Sequence, residues 1–169
     1  MMKRRRGIHA HGGRWLLFLC SICSGVHASE IDITPLMYRA VVADSMSATR
    51  ASLLSALGDK NYTVVNELNV QLGLKNRGIE AEPILLIEFI NLSKAYNITK
   101  SNRGFELFAP LRAALFEDAG QRTTIMIMRP SFIKKTLAEG GLSPEGAAAL
   151  DDFEQDMHNM LENLAAGGF

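Results

Sequence analysis

Two charged residues stand alone in otherwise apolar segments and are the first candidates for chemistry. Glu88 lies inside the apolar run 84–90, and Arg112 lies near the start of the run 111–116. A carboxylate in such a place must be paired, hydrogen-bonded or protonated, because burial of a lone charge is costly. If the two segments are neighbouring strands, Glu88 and Arg112 can form a bidentate ion pair. The pair is then either the charged centre of a ligand cleft or a structural ion pair, and a third interpretation is that Glu88 simply faces solvent.

Methionine and histidine suggest a second kind of chemistry, a copper site. Met126 and Met128 alternate in one segment, and Met157 precedes His158 in another. Thioether and imidazole groups suit Cu(I). However, Met157 and Met160 also continue an apolar helical stripe, and methionine fills irregular gaps in protein cores. The spacing favours packing, and copper remains an alternative.

The first 28 residues have the three-part layout of a secretory signal peptide. Basic residues between positions 3 and 14 precede the apolar run 15–23, and small residues follow at Val26 and Ala28. The apolar run is shorter than the ~20 residues that span a bilayer. We therefore predict cleavage near Ala28, no stable membrane insertion, and a periplasmic or secreted protein. The alternative interpretation is that the segment remains as a short membrane anchor.

Cleavage after Ala28 would remove most of the residues that commonly carry catalysis. Both cysteines, the one tryptophan and three of the four histidines precede residue 29. The mature chain would then have no thiol nucleophile and no disulfide, and His158 alone cannot build a structural zinc site. His158 also has no nucleophile motif beside it, and no glycine-rich phosphate loop has a familiar spacing. The sequence therefore assigns no catalytic, cofactor-binding or metal-binding residue and no cofactor.

Length and charge narrow the range of partners. The predicted mature chain, 29–169, has the length of one domain. Five of the 18 Lys and Arg residues precede residue 29, which leaves 13 against 18 Asp and Glu, a net charge of about −5. The longest basic run in this part is Lys134-Lys135, so a basic surface for nucleic acid is absent. The expected partner is a small ligand or another protein, with no oligomeric state implied.

Hydrophobic periodicity predicts five strands and three helices. The predicted strands are 38–43, 62–68, 84–90, 111–117 and 123–128. The predicted helices are 46–57, ended by Gly58 and Asn61, then 91–102 and 144–165, with a short helical turn inside 69–78. This order, strand-helix-strand-strand-helix-strand-strand-helix, favours a single compact α+β domain with a mostly antiparallel sheet and helices on one face.

The last predicted helix has the clearest apolar stripe. Ser143 is a plausible N-cap, and Pro144 suits the first helical position. The stripe consists of Leu150, Phe153, Met157, Met160, Leu161 and Leu164. We expect this stripe to pack on the sheet.

Four short runs, in this order, resemble the bacterial and archaeal family called domain of unknown function 302. The runs are Ile87-Glu88-Phe89-Ile90-Asn91-Leu92, Lys94-Ala95-Tyr96, Pro110-Leu111-Arg112 and Phe116-Glu117-Asp118. The resemblance covers about residues 36–165 and implies an α+β domain with an antiparallel sheet and no established activity. Many members carry cysteines where this chain has Ile90 and Leu111, so no thiol role follows here. Glu88, Asn91 and Arg112 keep the family pattern and form our candidate ligand cleft.

Together these observations favour an exported, non-catalytic binding or accessory module for a small ligand or a protein partner. The alternative is a periplasmic enzyme or a copper-handling protein that uses methionine and carboxylate groups. The first hypothesis depends on the poor catalytic inventory, and the second depends on the methionine pairs.

Overall fold

One antiparallel sheet forms the frame of the protein and carries the helices on one side. The computed structural model describes residues 30–167, so the predicted signal peptide lies outside the described residues. The strands are β1 (Glu30–Ile33), β2 (Met37–Val42), β3 (Thr63–Asn69), β4 (Ile84–Ile90), β5 (Leu111–Glu117) and β6 (Thr123–Met128). The helices are α1 (Met46–Asp59), α2 (Val70–Lys75), α3 (Leu92–Ser101), α4 (Pro130–Ala138) and α5 (Pro144–Ala165), with a 3-10 helix at Arg103–Leu107. The strand order is β1-β2-β6-β5-β4-β3, and every neighbouring pair is antiparallel.

The predicted α+β class, with helices packed on one face of an antiparallel sheet, is confirmed. Helix starts follow the expected capping chemistry. The Ser143 hydroxyl accepts a hydrogen bond from the Gly146 N–H at 3.1 Å, and Pro144 is the first residue of α5. Helix α1 continues through Gly58 to Asp59, so the expected stop at Gly58 was wrong. The chain reverses at Asn61, whose φ of 59° lies in the left-handed region that Asn tolerates.

Three elements were not expected from the sequence: β1, the 3-10 helix and α4. Helix α4 begins at Pro130, and its N-cap residue Arg129 makes no side-chain capping bond. The cap comes instead from Glu154 in α5, whose Oε2 accepts a hydrogen bond from the Ser131 N–H at 2.9 Å. A cap from a distant part of the chain leaves no local signal, and this explains the omission.

The core lies between the sheet and the helices. Alternate residues of the strands are buried there, among them Ile87 and Phe89 of β4 and Leu115 of β5. From the other side, α5 contributes its predicted stripe, and Leu150, Phe153, Met157, Met160, Leu161 and Leu164 are all buried. None of the helices within residues 30–167 is long and apolar enough to cross a membrane.

The opposite face of the sheet carries the remaining alternate residues, which are half-buried or exposed. In β4 these are Ile84, Leu86, Glu88 and Ile90. We call this side the uncovered face. At one edge of the sheet, β3 pairs only with β4, and its register shifts between Val64 and Asn66.

Removal of the Phe153 ring tests the predicted packing of α5. Phe153 is only 1% exposed and lies 5.7 Å from the ring of Tyr62. We expect Phe153→Ala to lower the free energy of unfolding by about 3–5 kcal/mol, measured by urea denaturation. Tyr96→Ala is the matched control, because Tyr96 is an aromatic helical residue that is 65% exposed. Similar losses in both variants would contradict the packing of α5 described here.

Candidate functional site

Glu88 and Arg112 lie directly opposite each other in the register of β4 and β5. The Arg112 guanidinium donates hydrogen bonds from Nε and Nη2 to Glu88 Oε1, with Nε at 3.1 Å. Asn66 of β3 donates from Nδ2 to the other oxygen, Oε2, at 3.2 Å. The predicted contact between the two lone charges is confirmed, and Asn66 is a third partner that the sequence analysis missed.

The pair lies on the uncovered face and is not buried. The Glu88 side chain is 20% exposed and the Arg112 side chain 57% exposed, so water reaches both. Hydrogen bonds from Arg112 and from Asn66 hold the pKa of the Glu88 carboxyl below its usual value. The carboxylate therefore stays ionised at neutral pH. Because water screens the pair, its contribution to stability is smaller than that of a buried ion pair.

A shallow groove of about 360 Å³ adjoins the pair. One wall is the segment 107–111 that leads from the 3-10 helix into β5, and the floor includes Ala114 and Met128 on the uncovered face. The complete lining is Glu88, Leu107, Phe108, Ala109, Pro110, Leu111, Arg112, Ala114 and Met128. The groove is thus mainly apolar, with one carboxylate and one guanidinium in it. Small-molecule sites have this composition and begin at about 300 Å³.

Asn91, the third residue of the predicted cleft, has a local structural role and does not line this groove. Its Oδ1 accepts a hydrogen bond from the Lys94 N–H at 3.1 Å, so Asn91 is the N-cap of α3. Its Nδ2 donates to the Lys60 carbonyl at 3.3 Å, and the residue is 8% exposed. It borders a separate, more open depression together with Asn61 and Ser93.

A half-buried carboxylate near Asn91 binds three donors. Asp156 of α5 accepts from Lys94 Nζ at 2.7 Å, from Lys60 Nζ at 3.1 Å and from the Tyr62 hydroxyl at 3.1 Å. Burial by itself would raise the pKa of Asp156, but the bonds from Lys94 and Lys60 outweigh it and the pKa is lowered. Burial raises the pKa of Tyr62, and the negative charge of Asp156 adds to this. Each of these groups has a hydrogen-bond partner within the cluster, and the geometry indicates that the cluster anchors α5.

A second half-buried carboxylate joins α5 to β2 and α4. Glu154 accepts from the Tyr38 hydroxyl at 2.6 Å, from Arg129 Nε at 2.7 Å and from the Ser131 N–H. Burial raises the pKa of Glu154, but these three bonds outweigh it and the net pKa is lowered. The Arg129 guanidinium also lies 5.2 Å from the Tyr38 ring centre and donates to the Thr34 carbonyl. The sequence analysis identified neither cluster, although Glu154 and Asp156 flank the apolar stripe of α5 and this was an available signal.

The methionines of the copper hypothesis lie on opposite sides of the sheet. Met157 is fully buried in the core, whereas Met126 and Met128 lie on the uncovered face. His158 lies 3.1 Å from Glu162 and beside the Tyr38 ring, in the helix layer. The set predicted from the sequence therefore does not converge on one point. Within residues 30–167, no group of three or more His, Cys, Asp or Glu side chains could hold a metal ion.

The arrangement as a whole defines a class of protein: a small α+β domain with one helical layer on an antiparallel sheet and a groove on the uncovered face. The crystal structure of an uncharacterized conserved protein DUF302 from Bacillus stearothermophilus has this fold, with a TM-score of 0.67 and 19% identity over 76% of this chain and 97% of that chain. The model of the family described as Domain of unknown function DUF302 matches residues 38–164, and the chain belongs to this family. A search of curated proteins gives no significant match. The resemblance noted in the sequence is thereby confirmed.

A pair of double-mutant cycles tests the difference between the exposed and the half-buried ion pairs. We expect Glu88→Gln and Arg112→Met each to destabilise the protein slightly, with a coupling energy that decreases as salt is added. The same cycle on Glu154 and Arg129 should give the larger coupling, because those side chains are only 18% and 24% exposed and share their bonds with Tyr38. Urea denaturation measures both cycles. Additive effects at Glu154 and Arg129 would contradict the anchor described above.

The lowered pKa values of Glu154 and Asp156 give the protein an acid-sensitive stability. Because both carboxyls bind protons less readily in the folded state, their stabilisation is complete above about pH 5 and is lost as the pH falls through the lowered pKa values. We expect Glu154→Gln to lower stability at pH 7 and to flatten its decline between about pH 5 and pH 3, followed by urea denaturation at each pH. Glu162→Gln removes a carboxylate from an exposed position on the same helix and is the control, and its loss of stability at pH 7 should be smaller than that of Glu154→Gln.

Proposed function

We propose that this protein is a non-catalytic binding module whose groove beside Glu88 and Arg112 holds a small ligand with an apolar body and one anionic group. The observation that carries the proposal is a half-exposed guanidinium, paired with Glu88, in a mainly apolar groove of about 360 Å³. Such a site combines apolar area for affinity with one charged group for orientation.

The chemistry of Arg112 specifies the anionic group. Glu88 engages Nε and Nη2 of the guanidinium, while Nη1 makes no hydrogen bond among residues 30–167. The planar guanidinium has five N–H donors, so it can bind a carboxylate of the ligand while it still contacts Glu88. The flanking side chains Leu107, Phe108 and Met128 offer apolar surface for the rest of the ligand.

A binding role suits this site better than proton-transfer chemistry. An efficient general acid or base has a pKa near the working pH. Arg112 and Asn66 move the pKa of Glu88 in the opposite direction, and arginine keeps its proton at neutral pH. The charges of the groove are therefore fixed, which favours recognition of a ligand over turnover.

We also propose that the module works outside the cytoplasm, in the periplasm or after secretion. The basic, apolar and small-residue order of residues 1–28 supports this location. The N-terminal residue of the protein recovered from an exporting host tests it, and Ser29 is the expected result.

Copper handling is a second candidate function with one observation in its favour. Met37 of β2 lies directly opposite Met128 of β6, and Met126 is on the same face two residues away. Three thioethers on one uncovered face suit Cu(I), which prefers soft ligands. Met157 takes no part, because it is buried in the core on the other side.

Octanoate is a suitable probe, because it joins one carboxylate to an apolar chain. We expect it to bind the purified protein, followed by isothermal titration, and Arg112→Met to weaken binding at least about tenfold through loss of the charged contact. Arg122→Met is the matched control. Arg122 is likewise an exposed arginine paired with a carboxylate, Asp118, but it lies in the turn between β5 and β6 and does not line the groove.

Three results would contradict the proposed ligand class. They are no octanoate binding by the wild type, equally tight binding of octylamine, or equal losses in the Arg112 and Arg122 variants. Stoichiometric copper in the purified protein that disappears in Met128→Leu, but persists in Met157→Leu, would favour the second candidate instead.

A further inference from the structure

The uncovered face of the sheet carries a continuous apolar surface beside the groove, with which it shares Ala114. In register across four strands lie Met126, Ala114, Leu86 and Leu68, and the next step along the strands adds Phe116 opposite Ile84. We call these six residues the apolar band. Leu68 is 51% exposed and Phe116 38% exposed, and none of the six belongs to the buried core.

An antiparallel sheet with one face in water normally alternates apolar residues on the core side with polar residues on the solvent side. Here β4 is apolar on both sides: Leu85, Ile87 and Phe89 face the helices, while Ile84 and Leu86 face outwards. Contiguous exposed apolar surface of this kind marks an interaction site.

The uncovered face has the dimensions of a protein–protein interface. Six strands at about 4.8 Å spacing span about 29 Å, and strands of six or seven residues are about 20 Å long. The face therefore projects an area of about 600 Å², and its accessible area is larger because side chains corrugate it. A stable interface removes about 800 Å² of accessible surface from each partner, so full coverage of this face approaches that requirement.

The charges on the face have both signs, and they indicate which partner fits. The acids Asp32 and Glu88 and the arginines Arg39 and Arg112 lie on this side of the sheet, where the register of β1 and β2 also places Glu30. A surface that carries both signs can match its charges with opposite charges of a second copy, although the predicted mature chain is acidic as a whole. An anionic membrane, by contrast, attracts surfaces with an excess of basic residues, which this face does not have.

The strand order also places complementary charges opposite each other. In the order β1-β2-β6-β5-β4-β3, β2 and β4 are equally far from the middle of the sheet. A two-fold axis parallel to the strands and between two facing sheets therefore puts β2 of one copy over β4 of the other. Register pairs connect Arg39 across the sheet to Leu86, so the two lie at the same height along the strands. Glu88 lies two residues beyond Leu86 on β4, a distance of about 7 Å. Among residues 30–167 Arg39 has no ion pair, so it can extend to Glu88 of the facing copy, and symmetry repeats this contact.

From these observations we infer that two copies of this chain pack face to face through the apolar band and form a two-fold symmetric dimer. Aligned packing of two sheets about 10 Å apart is a common architecture and buries both apolar faces. The band shares Ala114 with the floor of the groove, and the facing copy contacts Glu88 beside it, whereas the wall of the groove at 107–111 lies outside the band. The inference is drawn from the band and the charges of the face, and it does not depend on the proposed ligand.

Light scattering after size exclusion tests the dimer, with the subunit mass taken from denaturing mass spectrometry. At about 1 to 100 µM, the range in which micromolar dimers assemble, the purified protein should have twice its subunit mass. Met126→Lys and Phe116→Lys should each weaken assembly at least about tenfold, because each buries a charge in the interface. Leu92→Lys is the matched control, since Leu92 is 67% exposed but lies on α3, on the helical side. A monomeric wild type, or band variants that remain dimers, would overturn the inference.

A measurement on the unmodified protein covers the case in which a band variant fails to fold. Hydrogen peroxide oxidises accessible methionines, and mass spectrometry locates the sulfoxides. The oxidation rate of Met126 should decrease as the protein concentration rises through the range of assembly. A Met126 rate that does not change while the protein dimerises would show that another surface forms the dimer and would overturn the inference. The mass and oxidation measurements use no octanoate, so a dimer that binds no octanoate would leave this inference intact.

Discussion

Two carboxylates on α5, Glu154 and Asp156, connect the long helix to most of the other elements. Glu154 binds Tyr38 of β2, the guanidinium of Arg129 and the first turn of α4. Asp156 binds the end of α1 through Lys60 and the start of α3 through Lys94. Because both side chains are less than a fifth exposed, loss of their partners would leave charge that water solvates poorly. Apolar contacts therefore bury α5, and these ionic contacts fix its position along the sheet.

This use of α5 determines which face of the sheet stays uncovered. The helices that contribute to the core all pack on the same face of the sheet. The opposite face therefore carries the alternate strand residues that do not enter the core. That face holds the Glu88–Arg112 pair, the groove and the apolar band. The two carboxylate clusters of α5 are closed by their own hydrogen bonds, whereas the uncovered face offers both apolar area and a guanidinium with unused donors.

Much of the fold was predictable, because its signals are local. Alternation located five strands, Ser143-Pro144 located the start of α5, and two lone charges of opposite sign identified Glu88 and Arg112 as neighbours. The face on which that pair lies was not predictable. Since β4 has several apolar residues on each side and one charge, Glu88, its pattern does not settle which side the helices cover.

The other differences also have physical causes. Helix α4 is capped by Glu154, more than twenty positions away in the chain, and no local pattern records such a contact. Asn91 was grouped with Glu88 because both keep the family pattern, yet its position at the start of the predicted helix 91–102 was already typical of an N-cap. Family similarity therefore identified residues that matter to the structure, and it did not separate a cap from a ligand-binding group.

The irregular edge strand β3 has a consequence for how the sheet can grow. Its outer edge has no neighbouring strand within residues 30–167, and such an edge can template the addition of a strand from another chain. The shift of register between Val64 and Asn66 interrupts the even spacing of hydrogen-bonding groups that an incoming strand requires. Glu67 adds a charged side chain, paired with Arg50, at this edge. Edge-to-edge polymerisation of the sheet through β3 is thereby disfavoured.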